Sequence, residues 1–273
     1  MGGSWALALK KLGHSAPRVG YDRPEVLSKA LSAGAVNEVA ENLPAAVRNA
    51  DLVILATPVG AILDLLDQLQ QHLPPRALVT DVGSTKRLIC RRAKELMGDT
   101  PLFLGGHPLA GKESSGFEHA DPSIFENVFY ALTPSSPENI NDARVKAFVR
   151  LVESLGARPY VTEASSHDLA VAYLSHLPQL LSSGLASLIA DEVTEKHLPL
   201  ELAGSGFRDL TRLADSPYAL WRDICLTNIE NIQAGLEALI DKLESIKSHL
   251  SDRELERTFA QARKLRDRLR EQS

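Results

Sequence analysis

The feature that most limits what this chain can fold into is a series of short, unbroken apolar runs separated by helix-length segments. DLVILA at 51–56, closed by Thr57 and Pro58, is followed by ALVTD at 77–81 and LFLG at 102–105. None of the three alternates apolar with polar residues, so each asks for apolar cover on both faces. Such strands belong in parallel sheets sandwiched between helices. The intervening stretches, 61–72 and 85–97, read as helices. Upstream, a helix over 4–12 stops at Gly13, a short strand over 18–22 ends in Asp22, and a helix over 25–33 stops at Gly34. This alternation, continued to about residue 160, predicts a doubly wound α/β domain.

Beyond Thr162 the strand-like runs vanish, and helices are expected over 165–195, 217–248 and 251–271. In the second of these, Ile229, Ile232, Leu236, Leu239, Leu243, Ile246 and Leu250 are separated by alternating steps of three and four. That spacing makes an apolar stripe suited to packing along another long helix. The chain therefore divides into a sheet domain, 1–162, and an all-α domain, 163–273. A small helical domain attached to a sheet domain needs a further apolar surface to cover its stripe. A homodimer formed through the helical domain is expected.

Composition narrows the function. With 44% hydrophobic and 24% charged residues, the chain has the make-up of a globular protein and not of a disordered one. A net charge of -5 argues against general nucleic-acid binding. An anionic substrate has to be met by locally placed Arg, Lys or His. Cys90 and Cys225 lie far apart and fit no metal or redox spacing, so no metal is expected. No apolar run is long enough to span a membrane. Residues 1–7, MGGSWAL, carry neither a basic leader nor a cleavage site, and the expected location is the cytoplasm.

The start of the sheet domain has a specific reading. A dinucleotide-binding (Rossmann) domain opens with a strand, a G-x-G-x-x-G turn and a helix whose N-terminus holds the pyrophosphate; an acid about 20 residues later takes the ribose hydroxyls. Here Gly2 and Gly3 run straight into the first helix, and Asp22 stands twenty residues after Gly2 at the end of the next strand. Gly2 then reads as the third glycine, with the first strand and the first two glycines lacking. The expectation is an N-terminally truncated Rossmann-like domain with two open strand edges beside the missing strand. Asp22 favours NAD, because its carboxylate repels the extra phosphate of NADP, while Arg23 keeps NADP open. Thr57 and Pro58 after one strand, and Gly83 after the next, stand at carboxyl ends, where open α/β sheets bind ligands.

Polar residues collect in four segments where packing does not require them. These are DVGSTK at 81–86; GGHPLAGKE at 105–113; SHD at 166–168 with SHLPQ at 175–179; and GFRDLTR at 206–212 with WRD at 221–223. Glycines on both sides of His107 let a ligand approach the backbone closely, which lifts it above an ordinary structural histidine. Lys86, Lys112, Glu118 and His119 read as solvated, and Arg208 as half of a surface ion pair. Trp221 reads equally as core or as pocket wall. His167 and Asp168 read as ordering a helix start or an interdomain contact, not as catalytic groups.

Together these blocks resemble the prephenate/arogenate (cyclohexadienyl) dehydrogenases of tyrosine biosynthesis. The shared blocks are VGYDR, ADLVILATPV, DVGSTK, GGHPLAGKESSGFEHA, SSHDLAVAYLSHLP, and GFRDLTRLADSP followed by WRDI, between Gly2 and about Leu250. The resemblance implies a nucleotide-binding domain followed by a helical domain that builds an intertwined homodimer. It implies an NAD(P)-dependent oxidative decarboxylation: a hydride leaves C4 of the cyclohexadienol, the ring carboxylate departs as CO2, and the ring becomes aromatic. Arogenate would give tyrosine, and prephenate 4-hydroxyphenylpyruvate.

By the same resemblance, His107 is the base for the 4-hydroxyl proton, Ser84 bonds both that hydroxyl and the histidine, and Arg212 grips a substrate carboxylate. Glu113, His176, Asp209 and Trp221 line or gate the pocket. Many members carry His where Gln179 stands; a neutral amide tilts the expectation toward the ammonium of arogenate or toward dual specificity. Two other readings compete. Another two-domain hydroxy-acid dehydrogenase would need a catalytic Lys that residues 165–195 lack. A silent dimeric binding protein would have no need to keep His107, Ser84 and Arg212.

Overall fold

The computed structural model describes residues 1–98, 100–111 and 116–271. It divides into two compact units, Met1–Ile229 and Glu230–Ser273. In the first unit the expected alternation is present: α1 (Gly2–Lys11), β1 (Val19–Gly20), α2 (Pro24–Ser32), then, unexpected from the sequence, β2 (Glu38–Val39) and α3 (Leu43–Val47), and again as expected β3 (Leu52–Leu55), α4 (Val59–Leu69), β4 (Leu78–Asp81), α5 (Arg87–Met97) and β5 (Leu102–Pro108). Three further elements, β6 (Phe129–Pro134), α6 (Ala143–Ser154) and β7 (Arg158–Val161), extend it. Strand β7 is an edge with largely exposed side chains, which is why no apolar run announces it.

The unbroken apolar runs become strands because both faces of the sheet are covered. In β4, Leu78 points into one core and Val79 into the other; in β5, Leu102 and Leu104 share the first and Phe103 the second. The first core is closed by Trp5 and Ala8 of α1 and by Val145, Phe148 and Val152 of α6. The second is closed by Ile62, Leu66 and Leu69 of α4 and by Ile89, Ala93 and Met97 of α5. Trp5 centres the first, 5.2 Å from the Phe125 ring and 5.8 Å from that of Phe148. Burying a side chain of this size stabilises the fold by about 3 kcal/mol.

Five strands form one sheet in the order β3-β4-β5-β6-β7. Strands β3, β4 and β5 are parallel, β6 runs antiparallel to β5, and β7 is parallel to β6. Strands β1 and β2 pair in parallel on their own. Thus β1 and β3, the two strands expected to flank the fingerprint strand, do not pair with each other, and Val19 is 41% exposed.

The helices that follow differ from expectation at two points, both for local reasons. The segment expected as one helix over 165–195 is α7 (Ala164–Val171), a π turn over Ala172–His176, and α8 (Leu177–Lys196). Pro178 in the first turn of α8 has no N–H to continue the regular ladder, and the π turn accommodates the interruption. After α9 (Ser205–Thr211), the single helix expected over 217–248 is two, α10 (Tyr218–Thr227) and α11 (Ile229–Ser248). The break falls at Asn228, where the backbone leaves helical geometry at φ -129° and the buried amide Nδ2 donates to the Asp168 carbonyl at 2.7 Å.

The second unit consists of α11 beyond Ile229 and α12 (Arg253–Glu271). Leu243 and Leu250 of the expected stripe, and Phe259 of α12, are exposed in the single chain. Among the described residues, no helix is long and apolar enough to cross a membrane.

Candidate active site

Strands β3, β4 and β5 end side by side, so Thr57-Pro58, Gly83-Ser84 and Gly106-His107 lie along one edge of the sheet. A buried ion pair fastens the last two turns together. Asp81, at the end of β4, accepts the N–H groups of Gly83 at 2.8 Å and Gly106 at 3.1 Å. Lys86 Nζ pairs with the same carboxylate and donates to the Gly106 carbonyl at 2.7 Å. Neither side chain has any solvent exposure. Gly106 has to be glycine, since a Cβ there would stand 2.6 Å from the Asp81 carbonyl oxygen. The expectation of a solvated Lys86 is therefore corrected. A carboxylate buried at a strand end needs a cation within reach, and the turn into α5 supplies one.

His107 sits near the end of β5, in register with Ala131 of β6. Its Nδ1 lies 2.9 Å from Nε2 of His167 on α7, with the rings edge to face. His167 Nδ1 is 2.8 Å from Asp168 Oδ1. The Asp168 carboxylate also accepts the N–H groups of Lys86 at 2.7 Å and Arg87 at 2.9 Å, which are orphan donors at the start of α5. His167 and Asp168 tie α7 to the start of α5, within the first unit. What the sequence reading missed is that the pair reaches His107, sixty residues away. A histidine followed by an acid gives no sign of where either side chain points. Burial pushes the His107 imidazole well below its usual value, and the charges of His167, Lys86 and His176 act in the same direction. The ring is neutral near pH 7, as a base must be.

His176 occupies the π turn. It stands 3.3 Å from Asn228 Nδ2 and edge to face with Trp221, with ring centroids 5.8 Å apart. Burial lowers its pKa to about 4, outweighing the opposite pull of Asp168. Trp221 is half-buried, and its Nε1 is a buried donor without a protein partner. An indole N–H in that state is suited to a ligand acceptor.

Arg212 opens the turn after α9 and lines a cavity of about 470 Å³ together with Phe207, Arg208, Thr211 and Asp215. Gln179 on α8 is buried and holds this turn: its Nε2 donates to the Leu213 carbonyl at 2.7 Å and to Ser183 Oγ at 3.2 Å. The amide hydrogens of Gln179 are thus engaged by the protein. Arg208 donates to the Ala203 carbonyl at 3.3 Å and faces the cavity. Asp209 is exposed on α9, and Ser84 is half-buried between β4 and α5. Glu113 and Lys112 lie outside the described residues.

The residues expected to hold a dinucleotide fit one. Helix α1 begins at Gly2, with no acid in its first turn and no side chain capping it, which suits its N–H groups to a pyrophosphate. Gly2 packs tightly on the end of β3, where a Cβ would lie 3.0 Å from Ala56 Cβ. Asp22 follows β1 with an exposed side chain whose Oδ1 accepts the Arg23 N–H at 2.7 Å, leaving Oδ2 for ribose hydroxyls. Arg23 Nε lies 3.9 Å from Asp22 and 3.6 Å from Glu25, so its charge faces two carboxylates. Thr57 and Pro58 are exposed at the start of α4, whose Gly60 N–H is taken by Asp223 of α10 at 2.9 Å.

A sheet covered by helices on both faces, with a neutral imidazole at its carboxyl edge and, after the separate strand β1, an exposed acid twenty residues beyond the glycine that opens α1, is the arrangement of a dinucleotide-dependent oxidoreductase. Residues 5–161 match the family model described as prephenate dehydrogenase, nucleotide-binding domain, and residues 163–264 match that of the prephenate dehydrogenase dimerization domain. The chain belongs to the prephenate dehydrogenase family. It is 35% identical over 254 residues to the prephenate dehydrogenase of Lactococcus lactis subsp. cremoris (strain MG1363), spanning 92% of this chain and 67% of that one. Among solved structures, prephenate dehydrogenase from A. aeolicus in complex with hydroxyphenyl propionate and NAD+ aligns with a TM-score of 0.88 at 29% identity, over 99% of this chain and 94% of that chain. Synechocystis arogenate dehydrogenase aligns with a TM-score of 0.79 at 33% identity, over 98% and 95%.

Proposed function

We propose that the protein oxidatively decarboxylates arogenate, prephenate or both, using NAD, in tyrosine biosynthesis. Substrate and NAD+ give the aromatic product, CO2 and NADH. The observation that carries this reading is the neutral imidazole of His107, set on β5 beside the turns that follow β3 and β4. Bound NAD+, held by the start of α1, Asp22 and the turns after β3 and β4, would supply the acceptor for the C4 hydride. His107 accepts the 4-hydroxyl proton through Nε2, the nitrogen turned away from His167, so that the oxygen lone pair can push the hydride out. Loss of the carboxylate as CO2 returns its bonding electrons to the ring, and the proton goes back to the phenolic oxygen.

Ser84, half-buried at the turn after β4, hydrogen-bonds the same hydroxyl, and Arg212 pairs with a substrate carboxylate. Gln179 bears on the substrate by holding the turn that carries Arg212. Trp221, with its spare N–H, His176, Asp209 and Glu113 line the pocket. Gly2, Gly3, Asp22, Thr57, Pro58 and Gly83 hold the cofactor, and the engagement of Arg23 by two carboxylates favours NAD over NADP. The functional division falls between 162 and 163, supported by the ends of the two family matches. The exposed apolar side chains of the α11–α12 unit and the dimerization-domain match support a homodimer through 163–273. The site of action is the cytoplasm.

The test is NADH formation with each substrate, followed by absorbance, in the wild type and in His107→Asn. Turnover should fall about 10²–10⁴-fold in the variant, with the substrate KM little changed. No NADH from either substrate would overturn the activity. A preference for prephenate above about tenfold, roughly 1.4 kcal/mol, would overturn the tilt toward arogenate.

A further inference from the structure

We propose that Asp168 and His167 form a relay that dictates which nitrogen of His107 is the base; this rests on reading His107 as the base. The argument is directional. Both Asp168 oxygens receive backbone N–H donors, Oδ1 from Lys86 at 2.7 Å and Oδ2 from Arg87 at 2.9 Å. A carboxyl hydrogen on either oxygen would compete with a donor already there, so the group is a carboxylate. His167 Nδ1, 2.8 Å from Oδ1, then has to carry the hydrogen it donates. A neutral His167 is left with its lone pair on Nε2. That atom lies 2.9 Å from His107 Nδ1, which must donate in turn. The lone pair of His107 is thereby placed on Nε2. One carboxylate sets every hydrogen along the line.

The relay also has a use during turnover. When His107 Nε2 takes a proton, the ring becomes an imidazolium whose Nδ1–H already points to His167. That hydrogen can pass to His167 Nε2 while the Nδ1–H of His167 goes on donating to Asp168. The positive charge then lies beside a carboxylate, the number of protons is unchanged, and reversal restores the starting state. His167 and Asp168 do not touch substrate; they are positioning residues. Their place on α7, a helix beyond the sheet, means that the base is competent only when that helix is seated across the start of α5.

The decisive readout is the nitrogen NMR spectrum of the protein labelled in its histidine rings, which reports each tautomer directly. In the wild type, His107 should carry its hydrogen on Nδ1 and a bare Nε2. In Asp168→Asn, the amide can turn its NH2 toward His167 and invert every link. His107 Nε2 should then be protonated, with kcat down at least about 10²-fold and KM within about threefold. His167→Gln, whose amide oxygen can accept from His107 Nδ1, should keep the wild-type tautomer and lose less activity than His167→Leu. A wild-type His107 protonated on Nε2, or an Asp168→Asn protein with unchanged tautomer and turnover, overturns the relay. Should Asp168→Asn fail to fold through loss of its bonds to α5, the wild-type and His167→Gln spectra still decide. If the wild type acts on neither substrate, the proposed function fails while the spectrum still tests the relay.

Discussion

At the nucleotide end of the proposed site, the start of α1 offers uncapped N–H groups and Asp22 stands open to solvent. At the ends of β4 and β5 the reverse holds. Asp81, Lys86, His167 and Asp168 are all buried and answer one another through hydrogen bonds of ordinary length or shorter. The difference follows from what each end does. A surface that binds a charged ligand has to leave donors and acceptors unspent until the ligand arrives. A group that moves one proton needs its own hydrogens placed beforehand, and a fully satisfied buried network places them. The first arrangement adds little to stability, and the second makes stability and chemistry inseparable.

The sharpest way to break this contrast is Lys86→Met, which leaves the Asp81 carboxylate buried without its cation. The loss should be about 3–5 kcal/mol in a denaturant titration, far more than a surface lysine would cost. A loss below about 1 kcal/mol would show that the strand ends tolerate an unpaired charge, and the contrast would fall.

Acid should act on the same end with a defined sign. His176 has its pKa lowered from 6.5 to about 4 in the folded protein. As pH falls below 6.5, the unfolded chain binds a proton that the native state refuses, so stability is lost down to about pH 4 and is fully present above 6.5. The shift corresponds to a loss of up to about 3 kcal/mol, and His107, depressed in the same direction, adds to it. Thermal unfolding followed across this range checks it; stability that held flat would contradict a buried neutral His176.

The smallest effect belongs to the open end. Asp22→Asn should raise the KM for NAD about tenfold and narrow its advantage over NADP, with stability unchanged within about 0.5 kcal/mol. Cofactor kinetics and a melting curve on one preparation check both halves. A large loss of stability would mean that this end, too, is built into the fold.

Much of the candidate site was legible along the chain. The flanking glycines singled out His107, and the family blocks carried Ser84 and Arg212. The partners of these residues were not legible. Lys86 looks like any solvated lysine until Asp81, five residues earlier, is found buried beside it. Gln179 suggests substrate contact, yet its amide hydrogens hold the Leu213 carbonyl and Ser183. Asn228 sits inside a stretch, 217–248, that reads as one continuous helix, and one hydrogen bond to the Asp168 carbonyl accompanies the break.

Local order, then, was a matter of sequence alone. An apolar run that needs cover on both faces states that need within its own few residues, and so β3, β4 and β5 were determined before any packing was known. The pairing of His107 with His167, the burial of Lys86 and the separation of β1 from β3 were decided only by tertiary structure. A hydrogen bond or a strand pairing depends on where two distant segments come to rest, and no periodicity within either segment carries that information.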